Sequence, residues 1–242
     1  MRILVLSDIH SSLAALEAVL ADAEPFDAIW HLGDVVGYGP QPNEVVARLR
    51  GLGALGVRGN HDLAAIGGIE IAMFNVDARE AMEWTRAHIG PDTRAWLESL
   101  PDRRVEGNFT LVHGSPRDPT WEYVTSAPVA RANLAVITTP YCLNGHTHLP
   151  IAFRDDDGMI ETIAPANRST MQLDHRRAMM NPGSVGQPRD GNPAASYLVL
   201  DVSAGHRSVL WGRVAYDVAA VQEAMTIHHL PSRLITRLPV GR

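Results

Sequence analysis

The sequence has one cysteine, and it lacks long hydrophobic runs, runs of basic residues, repeats and low-complexity segments. The single Cys142 excludes an intrachain disulfide and provides no CxxC zinc or redox pattern, so we expect a small hydrophobic residue of the core. No stretch of about 18 apolar residues occurs that could span a membrane. The opening apolar run, Ile3–Leu6, is too short for the core of a signal peptide. These absences predict a soluble cytoplasmic protein with no membrane partner.

The chain is mildly acidic, with a formal net charge of −6. A large nucleic-acid surface normally shows as clustered lysine and arginine, so we do not expect nucleic acid as a partner. A small phosphorylated ligand is compatible with this charge. The residues are 45% hydrophobic and 20% charged, which is ordinary for a folded protein. Because 242 residues can bury one substantial core, we expect a single domain over residues 1–242.

The first 60 residues predict alternating strands and helices. Continuous apolar runs are typical of strands that are covered on both faces, and amphipathic stretches follow two of them. The predicted strands are 3–6, 28–32 and 54–57. The first predicted helix is capped by Ser11 or Ser12 and extends to Asp22, and the second covers 43–52. Such a βαβαβ opening implies a parallel sheet, whose ligands gather at the carboxyl ends of the strands.

The remainder of the chain predicts a helical segment and then a strand-rich half. Residues 62–100 are expected to form a mostly helical insert, with its clearest helices at 78–87 and 93–100. The predicted later elements are strands at 109–112, 135–138, 141–143 and 151–153, a hairpin turn at 155–158, a closing hairpin of 197–202 and 208–211, and a helix at 218–225. The fold class is therefore α/β.

Five polar clusters stand where predicted strands end. They are Ser7-Asp8-Ile9-His10, Gly33-Asp34, Gly59-Asn60-His61-Asp62, His113-Gly114 and Gly145-His146-Thr147-His148. Asp, His and Asn supply the oxygen and nitrogen ligands that hard-to-borderline divalent cations prefer, and no thiolate is among them. Each cluster alone is also typical of a turn, a helix cap or a buried histidine. Their ordered occurrence predicts a metal site, in which we expect the carboxylate of Asp34 to bridge two cations, one through each oxygen.

In this order the clusters match the motifs D-x-H, G-D, G-N-H-D, H and G-H-x-H, and the chain resembles the calcineurin-like metallophosphoesterases. The stretch Asn181-Pro182-Gly183-Ser184 makes it similar to the compact bacterial phosphodiesterase branch of that family. One departure is Ser11, which stands where glycine is common after D-x-H and where we expect a small residue to be tolerated. The resemblance implies a four-layer αββα sandwich of two packed mixed sheets with helices outside them.

The resemblance also implies a ligand set for two divalent metal ions. One ion would be held by Asp8, His10, Asp34 and His148, and the second by Asp34, Asn60, His113 and His146. Manganese is the first expectation, and iron, nickel or zinc also suit these ligands.

The function implied by the resemblance is hydrolysis of a small phosphodiester or phosphomonoester, by in-line attack of a hydroxide bridging the two ions. His61 would contact a phosphoryl oxygen or protonate the leaving group, and Asp62 would orient its imidazole or, alternatively, cap a helix. Arg189, in a rigid polar loop, binds phosphate on one interpretation and is a surface arginine in a turn on the other. Tyr38 is a candidate to line the pocket mouth and stack on a substrate ring.

Two other functions are compatible with the same motifs. A nuclease shares the metal core, but the absence of a basic run counts against it. A non-catalytic scaffold would keep the fold and bind partners, and the presence of His61 and all seven candidate ligands counts against a degraded site. The sequence carries no signal for the oligomeric state.

Overall fold

The computed structural model describes residues 1–203 and 206–242. The strands are β1 Arg2–Leu6, β2 Ala28–His31, β3 Leu55–Gly56, β4 Arg103–Glu106, β5 Phe109–Val112, β6 Tyr141–Leu143, β7 Pro150–Asp156, β8 Met159–Ile163, β9 Thr170–Gln172, β10 Ala178–Pro182, β11 Ala195–Ser203 and β12 His206–Val214. The α-helices are α1 Leu13–Ala23, α2 Pro42–Gly51, α3 Asn60–Ala65, α4 Val76–His88, α5 Pro91–Ser99, α6 Ala127–Leu134, α7 Val218–Ile227 and α8 Ser232–Arg237. No helix in these ranges is long and apolar enough to cross a membrane.

Two mixed sheets of six strands pack face to face. Their strand orders are β3-β2-β1-β11-β12-β9 and β4-β5-β6-β10-β7-β8. In the first sheet β1, β2 and β3 run parallel, and in the second β5, β6 and β10 do. Because parallel strands end at one edge, the loops that follow them lie side by side. The predicted sandwich of two mixed sheets flanked by helices is confirmed.

Strand β1 shows how the sequence builds the layers. Side chains alternate along a strand, so Ile3 and Val5 face the core between the sheets, while Leu4 and Leu6 face the helical layer. All four are fully buried, which explains their continuous apolar run. Helix α6 covers the outer face of the second sheet, and Cys142 is buried there with its thiol pKa raised by burial to about 12. The expectation of a core cysteine is confirmed.

The predicted strand at 135–138 is wrong. This apolar stretch continues the end of α6, where the amide of Ala135 donates to the carbonyl of Arg131. None of the strands in the described ranges pairs with these residues, and Val136 is 53% exposed. The hairpin turn at 155–158 joins β7 and β8 as predicted, with the amide of Gly158 donating to Asp155. The closing hairpin is β11 and β12, and residues 204 and 205 between them lie outside the described residues.

Candidate metal centre

The seven candidate ligands converge at one edge of the sandwich. They follow the parallel strands β1, β2, β5 and β6, except for one at the start of α3. Each is at most 4% exposed. These residues are Asp8, His10, Asp34, Asn60, His113, His146 and His148. Burying this many polar side chains is costly unless hydrogen bonds or metal ions compensate them, so their partners decide what the cluster does.

The first ligand group is Asp8, His10, Asp34 and His148, whose donor atoms all lie within 4.8 Å of one another. Asp8 Oδ1 lies 3.2 Å from His148 Nε2 and has no hydrogen-bond partner among the described residues. Its other oxygen accepts from the Ser7 hydroxyl and from the amide of His146. One carboxylate oxygen of Asp8 is thus fixed by the protein, and the other is free to bind a cation.

The protonation of the two imidazoles supports a cation in this group. Nδ1 of His10 lies 3.2 Å from the carbonyl oxygen of Val36, and Nδ1 of His148 lies 2.6 Å from that of Gln187. A carbonyl only accepts, so each Nδ1 carries the proton. Burial lowers the pKa of both rings, so each Nε2 has a lone pair. These two lone pairs lie 3.2 Å apart, an arrangement that a cation between them would stabilise.

The second ligand group is centred on His113. Its Nε2 lies 3.0 Å from Asn60 Oδ1, 3.0 Å from His146 Nδ1 and 3.3 Å from Asp34 Oδ2, while its Nδ1 donates to the carbonyl of Leu32. Burial lowers the pKa of His113, but the carboxylate of Asp34 more than offsets this and raises it to about 9. A positive charge is therefore stabilised at this position, and a divalent cation would fit the same ligands.

Asp34 joins the two groups through a single oxygen. Oδ2 lies 3.7 Å from His10 Nε2 and 3.3 Å from His113 Nε2. Oδ1 instead accepts a hydrogen bond of 2.8 Å from the amide of His61. The expectation that each oxygen of Asp34 faces a different cation is therefore corrected, because the backbone occupies one of them.

The backbone around the ligands is held in costly conformations. Ten described non-glycine residues have a positive φ, and seven of them lie at the site. These seven are Asp8, His10, Ser11, Asp34, Tyr38, His146 and His148. Each left-handed residue costs about 1–3 kcal/mol, and such strain concentrates at functional sites, where it aims side chains. This concentration supports a site selected for its chemistry.

Two glycines permit the close approach of these loops. A Cβ on Gly59 would lie 2.1 Å from Asp34 Oδ1, and one on Gly145 would lie 1.9 Å from the Ser7 hydroxyl oxygen. Neither position has room for any side chain, which explains why glycine precedes both Asn60 and His146.

His61 lies beside the two groups without belonging to either. Its ring is 4.9 Å from that of His10 and 4.4 Å from that of Tyr38. Burial lowers the pKa of His61 to about 4, against the opposing effect of Asp34. Nδ1 of His61 has no hydrogen-bond partner among the described residues. Because His61 also lines the cavity above the two groups, its neutral imidazole is available for a ligand.

The carboxylate of Asp62 does not contact the imidazole of His61. Oδ1 accepts from the amides of Val35 and Val36, and Oδ2 accepts from the amide of Gly59, the residue at the N-cap of α3. The role of orienting the imidazole is thus corrected. Asp62 instead ties the loop after β2 to the start of α3, and it fixes the positions from which Asp34 and His61 project.

Tyr38 and Arg189 lie together on the wall of a cavity of about 360 Å³ above the two groups. Asp34, Asn60, His61, His146 and His148 line the same cavity. An amino group of Arg189 lies 3.4 Å from the Tyr38 hydroxyl. The structure therefore places both side chains at the candidate site.

Several residues of the site are not among the candidate site residues that the sequence provides. Asn181 donates to the carbonyl of Gly145 and to the Thr147 hydroxyl, and so braces the loop that carries two candidate ligands. Tyr123 stacks on His146 at 4.0 Å between ring centroids, and Arg237 reaches the cavity from α8. Of these three residues, only Asn181 belongs to a sequence motif, the Asn-Pro-Gly-Ser stretch.

Comparison with known proteins decides the family. Residues 1–205 match the sequence profile of the calcineurin-like phosphoesterase superfamily domain. The chain belongs to this superfamily. The calcineurin-like match includes all five polar clusters, and the expected family and its phosphoric ester hydrolase activity are confirmed.

Calcineurin-like relatives resemble the chain over most of its length. The crystal structure of a metallophosphoesterase from Sphaerobacter thermophilus is 43% identical in sequence, with a TM-score of 0.90, over 100% of this chain and 99% of that one. An uncharacterized protein of Methanocaldococcus jannaschii is 34% identical over 99% of this chain and 98% of its own. Phosphodiesterase YfcE of Escherichia coli K12 is 29% identical over 83% of this chain and 88% of its own.

Proposed function

We propose that the protein is a dinuclear-metal-dependent phosphodiesterase that hydrolyses a small phosphodiester by in-line attack of hydroxide on phosphorus. The observation that carries the proposal is Asp34 Oδ2, which lies between the imidazole nitrogens of two adjacent ligand groups. A diester is favoured because YfcE, a relative over most of the chain, is named a phosphodiesterase. Manganese is the proposed metal for these oxygen and nitrogen ligands.

Each ligand group has a defined place in this proposal. Asp8, His10 and His148 would hold the first ion, and Asn60, His113 and His146 the second, with Asp34 shared. When bound, the two ions would lower the pKa of water and neutralise the oxygens of the phosphoryl group. We further propose that residues 1–242 form one domain, that residues 62–100 are its helical insert, and that the protein acts in the cytoplasm.

The protein's own residues would position the substrate and stabilise the charge that develops on the phosphoryl oxygens. His61 is neutral at pH 7 because burial lowers its pKa to about 4, so it would donate a hydrogen bond to a phosphoryl oxygen, rather than provide a charge. The buried walls around His10 and His61 would exclude bulk water from the reacting group. Tyr38 and Arg189, on the cavity wall, would orient the rest of the substrate.

The test is an assay of metal-depleted protein refilled with Mn²⁺, on bis(p-nitrophenyl) phosphate and p-nitrophenyl phosphate. We expect turnover of the diester, a fall of at least about 100-fold in kcat for Asp34→Asn, and a fall of about 10²–10³-fold for His61→Ala, the effect of removing one hydrogen-bond donor to the transition state. Absence of turnover with every divalent metal would favour a non-catalytic scaffold. Full activity of Asp34→Asn would contradict the shared ligand.

A further inference from the structure

Two arginines line the cavity above the candidate metal centre, and neither forms an ion pair with a carboxylate of the described residues. Arg189 and Arg237 take part in none of the ion pairs found between the described residues. The Nε atom of each is buried and has no hydrogen-bond partner in the described ranges. Buried guanidinium nitrogens without an acceptor are costly, so the pair is suited to an anion that the protein itself does not supply.

Both guanidinium groups are arranged around one aromatic ring. Arg189 approaches the hydroxyl of Tyr38 at 3.4 Å, and Cζ of Arg237 lies 5.0 Å from the centroid of the Tyr38 ring. The same ring lies 4.4 Å from that of His61. Both guanidinium groups and the imidazole of His61 therefore adjoin the same tyrosine ring.

Arg237 is held in this place by the loop that also carries Arg189. An amino group of Arg237 donates to the side-chain oxygen of Gln187, and the carbonyl of Gln187 accepts from His148. The amide of Arg189 in turn donates to the carbonyl of His148 at 3.4 Å. A chain of contacts thus links the arginine pair to a candidate metal ligand, and it fixes the distance between them.

The arginine pair is a feature of this chain beyond the superfamily motifs. Arg237 belongs to α8 and lies outside residues 1–205, which match the superfamily profile. Burial lowers the pKa of the Arg237 guanidinium, and the charge of Arg189 adds to this lowering. Two like charges held close together are stabilised most by a ligand group that carries negative charge on several oxygens.

We propose that Arg189 and Arg237 form a second phosphoryl subsite, so that the substrate carries a further phosphate beside the one that is hydrolysed. The inference rests on the proposed function, because it assigns the scissile phosphoryl group to the metal centre. The planar forks of the two guanidinium groups match phosphate oxygens in bidentate geometry. The substrate class is a phosphate ester with at least two phosphoryl groups, rather than a simple ester of one phosphate.

The test is calorimetric binding of methylenebisphosphonate and methylphosphonate to the full chain equilibrated with Mn²⁺, at fixed free metal concentration. The first probe has two phosphoryl groups and the second has one. We expect the bisphosphonate to bind at least about 10-fold tighter, since its second phosphoryl group adds charge-assisted hydrogen bonds with the two guanidinium groups. Arg237→Gln and Arg189→Gln should each reduce this ratio about 10-fold, and Arg237→Lys should retain part of it.

The matched control is Arg233→Gln. Arg233 is on the same helix as Arg237, its side chain is 83% exposed, and it lies outside the cavity, so the ratio should not change. A ratio near one in the unmodified protein, or a ratio unaffected by Arg237→Gln, would overturn the subsite.

Diester turnover by the same preparations separates the two proposals. If the protein turns over the diester but the ratio of the two phosphonate affinities does not depend on Arg237, the phosphodiesterase activity would be supported and the subsite would be contradicted. If the protein shows no turnover but its affinity ratio depends on Arg237, the second anion site would be supported and the phosphodiesterase activity would be contradicted.

Discussion

Ser11 has a left-handed backbone with φ of 54°, and it is fully buried. Its hydroxyl has no hydrogen-bond partner in the part of the chain that the structure describes. The left-handed conformation costs a residue with a Cβ about 1–2 kcal/mol, which is why glycine suits this position. Serine at position 11 therefore makes the fold less stable than glycine would.

Replacing Ser11 with glycine should stabilise the protein. The strain and the unpaired hydroxyl are both removed, while glycine adds about 0.5–1 kcal/mol of backbone entropy to the unfolded chain, so we expect a net gain of about 1 kcal/mol by urea denaturation. The control is Ser12→Gly, because Ser12 has an ordinary φ of −98° and should lose stability. A destabilised Ser11→Gly variant would contradict the strain argument.

His31 is a buried histidine outside the two ligand groups. Both ring nitrogens lack hydrogen-bond partners among the described residues, and the ring lies 5.3 Å from that of Trp96. Burial lowers its pKa to about 3, with a smaller contribution from the charge of Arg104. The folded protein therefore keeps the ring neutral, whereas the unfolded chain protonates it with a pKa of 6.5. The free energy of unfolding is unaffected by this difference above pH 6.5 and decreases as the pH falls below it.

His31→Phe should remove part of this acid sensitivity. Between pH 7.5 and pH 5, the unfolded histidine takes up a proton that the folded one does not, which costs the unmodified protein about 2 kcal/mol. The free energy of unfolding of His31→Phe minus that of the unmodified protein should therefore be about 2 kcal/mol larger at pH 5 than at pH 7.5. Parallel pH profiles for the two proteins would show that His31 titrates normally in the fold.

A strand of the second sheet braces the loops that carry the candidate ligands. Strand β10 is a clear case, because Asn181 near its end donates to Gly145 and Thr147, and Ser184 just beyond it donates to the carbonyl of Asp8. These bonds connect the second sheet to loops of both ligand groups. The bracing is a property of the packed sheets.

Asn181→Ala should weaken the metal centre without touching a metal ligand. Loss of the two hydrogen bonds frees the loop that carries His146 and His148, and we expect a decrease of about 10- to 100-fold in Mn²⁺ affinity by calorimetry. Gln172→Ala, on the exposed face of β9, is the control and should bind metal normally. Equal affinities in the two variants would show that the loop needs no brace.

The sequence predicts elements well where local pattern and packing agree. The run Ile3–Leu6 is apolar on both faces because both faces of β1 are covered, so its pattern is unambiguous. The stretch 135–138 is also apolar, but it follows the end of α6, and none of the described strands pairs with it. The sequence does not predict strand β10, because Ala178-Met179-Met180 is a short run without β-branched or aromatic residues, and a polar Asn181 and a proline follow it.

At the scale of the whole molecule, the fold makes one site out of clusters far apart in sequence. Asp8 and His148 are 140 positions apart, yet Asp8 Oδ1 and His148 Nε2 lie 3.2 Å apart because β1 and β6 end at the same edge. The order of the motifs was sufficient to predict which residues meet. It could not predict Arg237, because an arginine in a late helix has no local signal and reaches the cavity only through the packing of α8.

The measurement that tests the central claim most directly is the metal content per chain. After equilibration with Mn²⁺ and removal of free metal, elemental mass spectrometry should find two ions per chain in the unmodified protein and one in His113→Ala, which keeps the group of Asp8, His10 and His148. Two ions in both proteins would contradict the ligand assignment. A metal content of zero or one in the unmodified protein would contradict the dinuclear centre itself.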